Sequence, residues 1–250
     1  MFTRMTAVLI ALFVLGLPVH AEGIDTKKFV EEFDLKYHYP KTAGLQELSC
    51  KITCQEMNND LEIRFGGGDI DMVAELAWKK DGEPKIKFSG VPEKLAKSER
   101  QNIEGAFYSI ANLVLGLPLS EYVDAYTVKV EPVDNGYVML AVAKNPDSQI
   151  TKASMRINKQ WHITKNELVQ GGVALTQEFV YADLGKGLML KKMRTDVGGS
   201  FMIVEPKFEL VKGVFLPKTI TLSEVDKNEK PKITPQIFAL TDYKVVTAGK

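Results

Sequence analysis

The chain has 250 residues, of which 32 are basic, 32 are acidic, 45% are hydrophobic and two are cysteines. A formal net charge of zero argues against a nucleic-acid-binding protein, because such proteins carry a basic excess or a basic stripe. A chain of this size can bury about 70% or more of the surface that its unfolded form exposes, so it does not need disulfides for stability.

Residues 1–21 have the pattern of a cleavable export signal. Arg4 gives a basic start, residues 7–17 form an uncharged apolar run, and residues 19–21 end in a small residue at the cleavage point. The apolar run is short for a membrane span, which needs about 20 residues, and an uncleaved N-terminal anchor is the alternative interpretation. No cysteine stands at the cleavage point for lipid attachment. We therefore predict cleavage after Ala21 and a soluble periplasmic protein, residues 22–250, folded as a single domain with no stable membrane span.

The first predicted elements are a short helix and three strands. Asp25 is a typical N-cap for a helix that carries Phe29, Val30 and Phe33 on one face. From residue 48 to residue 54, apolar side chains occupy every second position, which is typical of a half-buried strand. Residues 74–88 continue this alternation on both sides of an Asp-Gly turn and predict a hairpin.

One segment has the spacing of an amphipathic helix. Its large apolar residues recur three or four positions apart, and a glycine and a proline end the pattern. Each of these side chains contributes about 1.5–3 kcal/mol when it is buried, so the helix must cover another apolar surface. The apolar positions are Ile103, Phe107, Ile110, Val114 and Leu117.

Short strands separated by turn residues fill the rest of the sequence, up to about residue 246. The strongest hairpin signals are Asp134-Asn135-Gly136 and Gly185-Lys186-Gly187. The predicted class is therefore α+β, mostly β: one large curved antiparallel sheet that forms an unclosed β-barrel and is capped by one or two helices.

No motif predicts catalysis. His38 and His162 are far apart in the sequence and neither lies near a nucleophile signature, so we interpret His162 as structural. The segment 66–71 supplies only two carboxylates, fewer oxygen ligands than calcium loops use, and is interpreted as a turn. We expect no catalytic residue, no metal and no cofactor, and hence no enzyme.

The two cysteines allow two interpretations. Four residues of straight strand span about 13 Å, whereas the α-carbons of a disulfide lie roughly 4.4–6.8 Å apart. In a strand, Cys50 and Cys54 therefore stay unbonded and act as small apolar core groups. If the segment is bent or helical instead, they can bridge.

Two segments resemble a known family. They are the hairpin of residues 78–90, with its basic turn, and residues 213–220, where Gly-Val-Phe-Leu-Pro leads into a late strand. Together with the order of elements, they are similar to the lipoprotein-carrier-like superfamily, which includes the periplasmic carrier LolA and outer-membrane lipoprotein-sorting proteins. The resemblance implies a half-barrel whose apolar face, capped by helices, accepts acyl chains. Arg64 is a candidate for the arginine that fastens the lid helix in this family.

The resemblance also implies a set of ligand-binding residues beneath the amphipathic helix, which would be the lid. An ordinary packed core of the same residues is the alternative, because a sequence pattern does not distinguish a filled concavity from an empty one. The residues are Cys50, Ile52, Leu76, Trp78, Ile86, Phe88, Phe107, Ile110, Val114 and Leu117.

The function expected from the resemblance is a periplasmic carrier whose partner is a lipid or an acylated protein. The first alternative is a non-enzymatic structural or regulatory module of the periplasm that binds an envelope protein through the same fold. An enzyme with an unrecognised site is the second alternative.

Overall fold

The computed structural model describes residues 24–65, 70–116 and 118–248, and the predicted export signal lies outside them. In these residues there are four helices: α1 (Thr26–Asp34), α2 (Gln55–Phe65), α3 (Lys97–Leu115) and α4 (Ser120–Val123). The same residues form twelve strands: β1 (Leu45–Cys54), β2 (Val73–Lys79), β3 (Lys85–Ser89), β4 (Tyr126–Val133), β5 (Gly136–Ala143), β6 (Ile150–Asn158), β7 (Ile163–Gln170), β8 (Val173–Asp183), β9 (Leu188–Val197), β10 (Ser200–Val211), β11 (Val214–Val225) and β12 (Gln236–Thr247).

All twelve strands belong to one antiparallel sheet. Their order is β3-β2-β1-β12-β11-β10-β9-β8-β7-β6-β5-β4, so the edge strands β3 and β4 lie at opposite ends and the sheet does not close on itself. Every neighbouring pair is consecutive in sequence except β1 and β12. The predicted class, an unclosed and mostly β fold with covering helices, is confirmed.

The helices pack on one face of this sheet, which we call the inner face. Core 1 lies at one end, where α2 and α3 cover β1, β2, β11 and β12. Core 2 lies at the other end, where α1 covers β4, β5 and β6. The period of two along each strand directs alternate side chains to the inner face, so a single sheet supplies the floor of both cores.

Local sequence signals position the helices as predicted. Asp25 caps α1 by accepting hydrogen bonds from the backbone nitrogens of Lys27 and Lys28, at 3.1 and 3.2 Å. Gly116 ends α3 in the left-handed region, with φ of 51°, a conformation that glycine adopts without a Cβ penalty. The three predicted apolar residues of α1 are all buried.

Two helices and one turn differ from the sequence interpretation. Helix α2 follows β1 without an intervening turn residue, and only Met57 and Leu61 give it a buried apolar spacing, so its pattern is too short to recognise. The four-residue helix α4 carries no buried side chain. Trp161 and His162, whose alternation with Ile163 is also typical of a strand, lie in the turn before β7, where Trp161 has φ of 66°. Among the described helices, none has the length and apolar character of a membrane span.

Candidate ligand-binding face

The predicted ligand-binding residues come together in core 1. Seven of them, on β1, β2 and α3, are at most 4% exposed. Ile86 and Phe88, on the edge strand, are half-buried and pack against the same core. Leu117 lies outside the described residues. The seven buried residues are Cys50, Ile52, Leu76, Trp78, Phe107, Ile110 and Val114.

Helix α3 is in direct contact with the sheet beneath it. The Phe107 ring meets Phe88 and Phe238 edge to face, with centroids 5.6 and 5.3 Å apart. Such pairs are well-packed aromatic contacts. In this conformation the predicted groove residues therefore form a packed core, and a role in ligand binding requires α3 to move.

The first turn of α3 is held by a side chain from α2. Arg64 donates a hydrogen bond to Glu99 and forms an ion pair with it. The other carboxylate oxygen of Glu99 accepts from the Ala96 backbone nitrogen at 3.3 Å. The hydrogen bond from Arg64 is the main reason that the pKa of Glu99 is lowered from its usual 4.5. The candidate lid-fastening arginine thus contacts the helix that the resemblance implies to be the lid.

Both cysteines lie on the inner face of β1, and both are free thiols. This agrees with the strand interpretation, in which the separation is too long for a disulfide. Burial raises the pKa of Cys50 to about 12 and that of Cys54 to about 11. Both groups therefore remain protonated at neutral pH.

Between the two cores lies a part of the inner face whose side chains remain largely half-buried, which we call the central strip. At the border with core 1 lies Met193, which packs against that core. At the border with core 2 lies Met155, which packs against core 2. Neighbouring strands lie about 4.8 Å apart, so the strip spans roughly 14 Å from β6 to β9. It consists of Met155, Asn166, Gln177, Phe179, Met193 and Thr195.

The register places these residues on the same face as both cores. Gln177 lies opposite Asn166 on one side and opposite Thr195 on the other. Asn166 in turn lies opposite Met155, whose neighbour Met139 belongs to core 2. Because directly opposed residues share a face, the strip joins the two cores on the inner face, with three apolar and three neutral polar side chains.

One end of the strip is bordered by aromatic side chains of β8 and by Tyr37, from the segment that follows α1. The Phe179 ring stacks on Tyr181 at 6.2 Å, and Tyr181 meets Tyr37 edge-on at 5.2 Å. The Tyr37 hydroxyl donates to the Trp161 carbonyl at 2.7 Å and accepts from the Ile163 nitrogen at 3.2 Å. Burial raises the pKa of Tyr37 to about 12, so this hydroxyl keeps its proton.

Two clefts lie near these surfaces. One of about 390 Å³ lies at β5–β8, and most of its lining residues, such as Leu140, Val142 and Glu167, are on the face opposite the strip. A larger cleft, of about 800 Å³, lies where β1, β2 and β12 meet; among its apolar residues, Leu48, Trp78 and Val245 are at most 4% exposed, whereas Val246 is 52% exposed. Charged side chains also line this cleft, and their aliphatic stems add apolar surface. The central strip is the candidate for an acyl chain that lies on the same face as both cores.

The sequence interpretation did not identify the central strip. Its signal is present in β8, where Leu175, Phe179 and Tyr181 follow an apolar alternation that Gln177 interrupts. The side chains of β7 and β9 that meet Gln177 lie 11 and 18 residues away in sequence. The contact of Gln177 with these side chains can be recognised only when the strand register is known.

Comparison with known proteins gives a structural match of low similarity. No family model matches the sequence, and no curated protein is significantly similar to it. The structure is similar to the crystal structure of an outer membrane lipoprotein-sorting protein domain from Vibrio parahaemolyticus, which covers 91% of this chain and 94% of that chain at 11% identity and a TM-score of 0.36. The resemblance stated from the sequence names the same class of protein. A TM-score of 0.36 is too low to support a function for this chain.

Proposed function

We propose that this protein is a periplasmic carrier that holds an acyl chain of a lipid or lipid-modified protein against the inner face of its sheet, along the central strip. The observation that supports this is the half-buried set of Met155, Phe179 and Met193 on the part of the inner face between the two helix-covered cores. Burial of an acyl chain contributes about 0.8 kcal/mol per CH₂. Binding of this kind needs apolar surface and no catalytic residue.

The core beneath α3 would extend the same site. Separation of α3 from the sheet would expose apolar side chains that continue the strip, and the ion pair between Arg64 and Glu99 would oppose that separation. A long or second acyl chain would then enter between α3 and the sheet. This second step uses the residues that the sequence resemblance implies.

The test is retention and exchange of lipid by the purified protein. We expect native mass spectrometry after gentle purification to show bound lipid, and a fluorescent fatty-acyl probe to bind after delipidation. Phe179→Asp should abolish probe binding, because it places a charge on the strip. Val180→Asp is the matched control, since Val180 is the next residue and is 49% exposed. A wild-type protein that neither retains lipid nor binds the probe would refute the proposal.

A protein-binding module is the second candidate, and the tight packing of core 1 favours it. In that case an envelope protein would bind with equal affinity to wild type and to Phe179→Asp, in the absence of lipid.

For either function we propose export with cleavage after Ala21. Intact-mass measurement on periplasmic material should then give a chain that begins at Glu22, and a mass that includes residues 1–21 would contradict it.

A further inference from the structure

The central strip contains three neutral polar side chains that are hydrogen-bonded in a row. The Asn166 Nδ2 donates to Gln177 Oε1 at 3.1 Å, and the Gln177 Nε2 donates to Thr195 Oγ1 at 3.4 Å. Thr195 is only 8% exposed. Cross-strand pairs of this kind let polar groups satisfy one another on an apolar face.

One end of this row has an unused acceptor. Asn166 Oδ1 is buried and accepts no hydrogen bond from any described residue. A buried acceptor without a donor is unfavourable, because it has lost its bond to water without replacement. Because this oxygen is shielded from solvent, a ligand would have to displace the side chains that cover it; a ligand that then brings a donor to the oxygen would remove that penalty on binding.

The strip offers no charge to a ligand. All six of its residues are neutral, and the Gln177 amide also lies 3.8 Å from the Met193 sulfur, between two apolar neighbours. A carboxylate or phosphate placed here would lose water without gaining a cationic partner, which is strongly unfavourable. The chemistry of the row therefore selects for a neutral polar group beside the acyl chain.

We propose that the acyl ligand carries a neutral hydrogen-bond donor, a hydroxyl or an amide N–H, and that Asn166 Oδ1 accepts this hydrogen bond. This inference rests on the proposed function and specifies its ligand. An acylglycerol would supply the donor as a hydroxyl, and an N-acylated amine or peptide would supply it as an amide. Free fatty-acid anions would be poor ligands.

Four probes with the same acyl chain test the inference on the delipidated full protein at pH 8. They are a monoacylglycerol, an N-acyl glycinamide, the methyl ester, which has no donor, and the free fatty acid, which is an anion. We expect at least one of the two donor probes to bind about tenfold tighter than the methyl ester, and the fatty-acid anion to bind more weakly than the ester. The stronger of the two donor probes identifies the source of the donor.

A variant assigns the preference to Asn166. Asn166→Leu should bring the affinity of the donor probes to within about twofold of that of the methyl ester, because the acceptor is gone while the apolar contacts remain. Glu167→Leu is the control, since Glu167 is exposed on the opposite face of the same strand, and it should keep the wild-type preference.

The outcomes separate the two levels of the proposal. If the wild type binds the ester and the donor probes equally, or prefers the anion, the inference about Asn166 is wrong while acyl binding stands. If no probe binds to the wild type, both proposals fail. The wild-type comparison needs no variant, so a folding defect in Asn166→Leu does not affect it.

Discussion

Cys50 and Cys54 lie on the same face of β1, and this position determines the reactivity of both thiols. Both lie on the face of β1 that α3 covers, and burial is the main cause of the raised pKa of each thiol. Since the thiolate is the reactive form, we expect neither thiol to react with a disulfide reagent at pH 8 in the native protein. Both should react in 6 M guanidinium, and the intact mass without reductant should be that of two free thiols.

The unfolded sample is the control for reagent quality in this experiment. A mass lower by two hydrogens would show a disulfide, and rapid reaction of the native protein would show that the covering helix opens readily.

At the residue scale, the sequence predicted the features that depend only on neighbouring residues in the chain. The cap at Asp25, the buried face of α1 and the inward thiols all follow from periodicity within a few residues. The row of Asn166, Gln177 and Thr195 could not be predicted, because three strands must first pair in the correct register. The sequence also left open whether the predicted site is a groove or a packed core, because the contact of α3 with the sheet joins residues that are far apart in the chain.

Among the elements, helix α3 is attached to the sheet mainly through Phe107. This side chain is fully buried between two other aromatic rings. We expect Phe107→Ala to lower the free energy of unfolding by about 3–5 kcal/mol, because it removes apolar contacts and leaves a cavity. Urea denaturation followed by circular dichroism measures this change.

Tyr108→Ala is the matched comparison, because Tyr108 is the next residue of the helix and is 44% exposed. It should change the stability by no more than about 0.5 kcal/mol. Equal effects of the two substitutions would show that α3 is not packed on the sheet as described.

Opening of α3 at its first turn should depend on Arg64 and on pH. The pKa of Glu99 is lowered by its partner, so the ion pair is intact above pH 4.5 and its contribution is lost as the pH falls below that value. We expect faster amide hydrogen exchange in residues 97–103 at pH 4 than at pH 7, after correction for the intrinsic rate. Arg64→Gln should raise the exchange at pH 7 and reduce this difference, of which the hydrogen bond from the Ala96 nitrogen to Glu99 keeps a part.

The charge-reversed pair Arg64→Glu with Glu99→Arg is the control, and it should restore part of the protection at pH 7. If Arg64→Gln leaves exchange in this segment unchanged, the ion pair does not hold the helix.

Element boundaries were predictable where turn chemistry marks them. The hairpin between β4 and β5 follows Asp134-Asn135-Gly136, and α3 stops at Gly116. Helix α2 lacks such a marker, because β1 passes into it at Gln55 without a glycine or proline. Only Met57 and Leu61 give its apolar spacing, which is too few residues to reveal the change of period.

The whole molecule has one sheet but two separate cores. We expect Phe33→Ala, in core 2, to increase hydrogen exchange in α1 and β4–β6 more than in β1, β2 and β12, because core 1 shares no side chain with it. Phe107→Ala should produce the opposite distribution. A uniform increase from both substitutions would show that the two ends unfold together.

The neighbour relation between β1 and β12 has a consequence for the kinetics of folding. Leu45 pairs with Thr247, and Cys54 pairs with Phe238, so about 180 to 200 residues lie between the two partners. Closing so long a loop is slow, because its entropy is lost before the contacts form. Until β12 arrives, β1 has an unpaired hydrogen-bonding edge and a partly assembled core. The folding intermediate would thus expose apolar surface that can aggregate or bind a chaperone. Completion of the sheet would be a late step of folding.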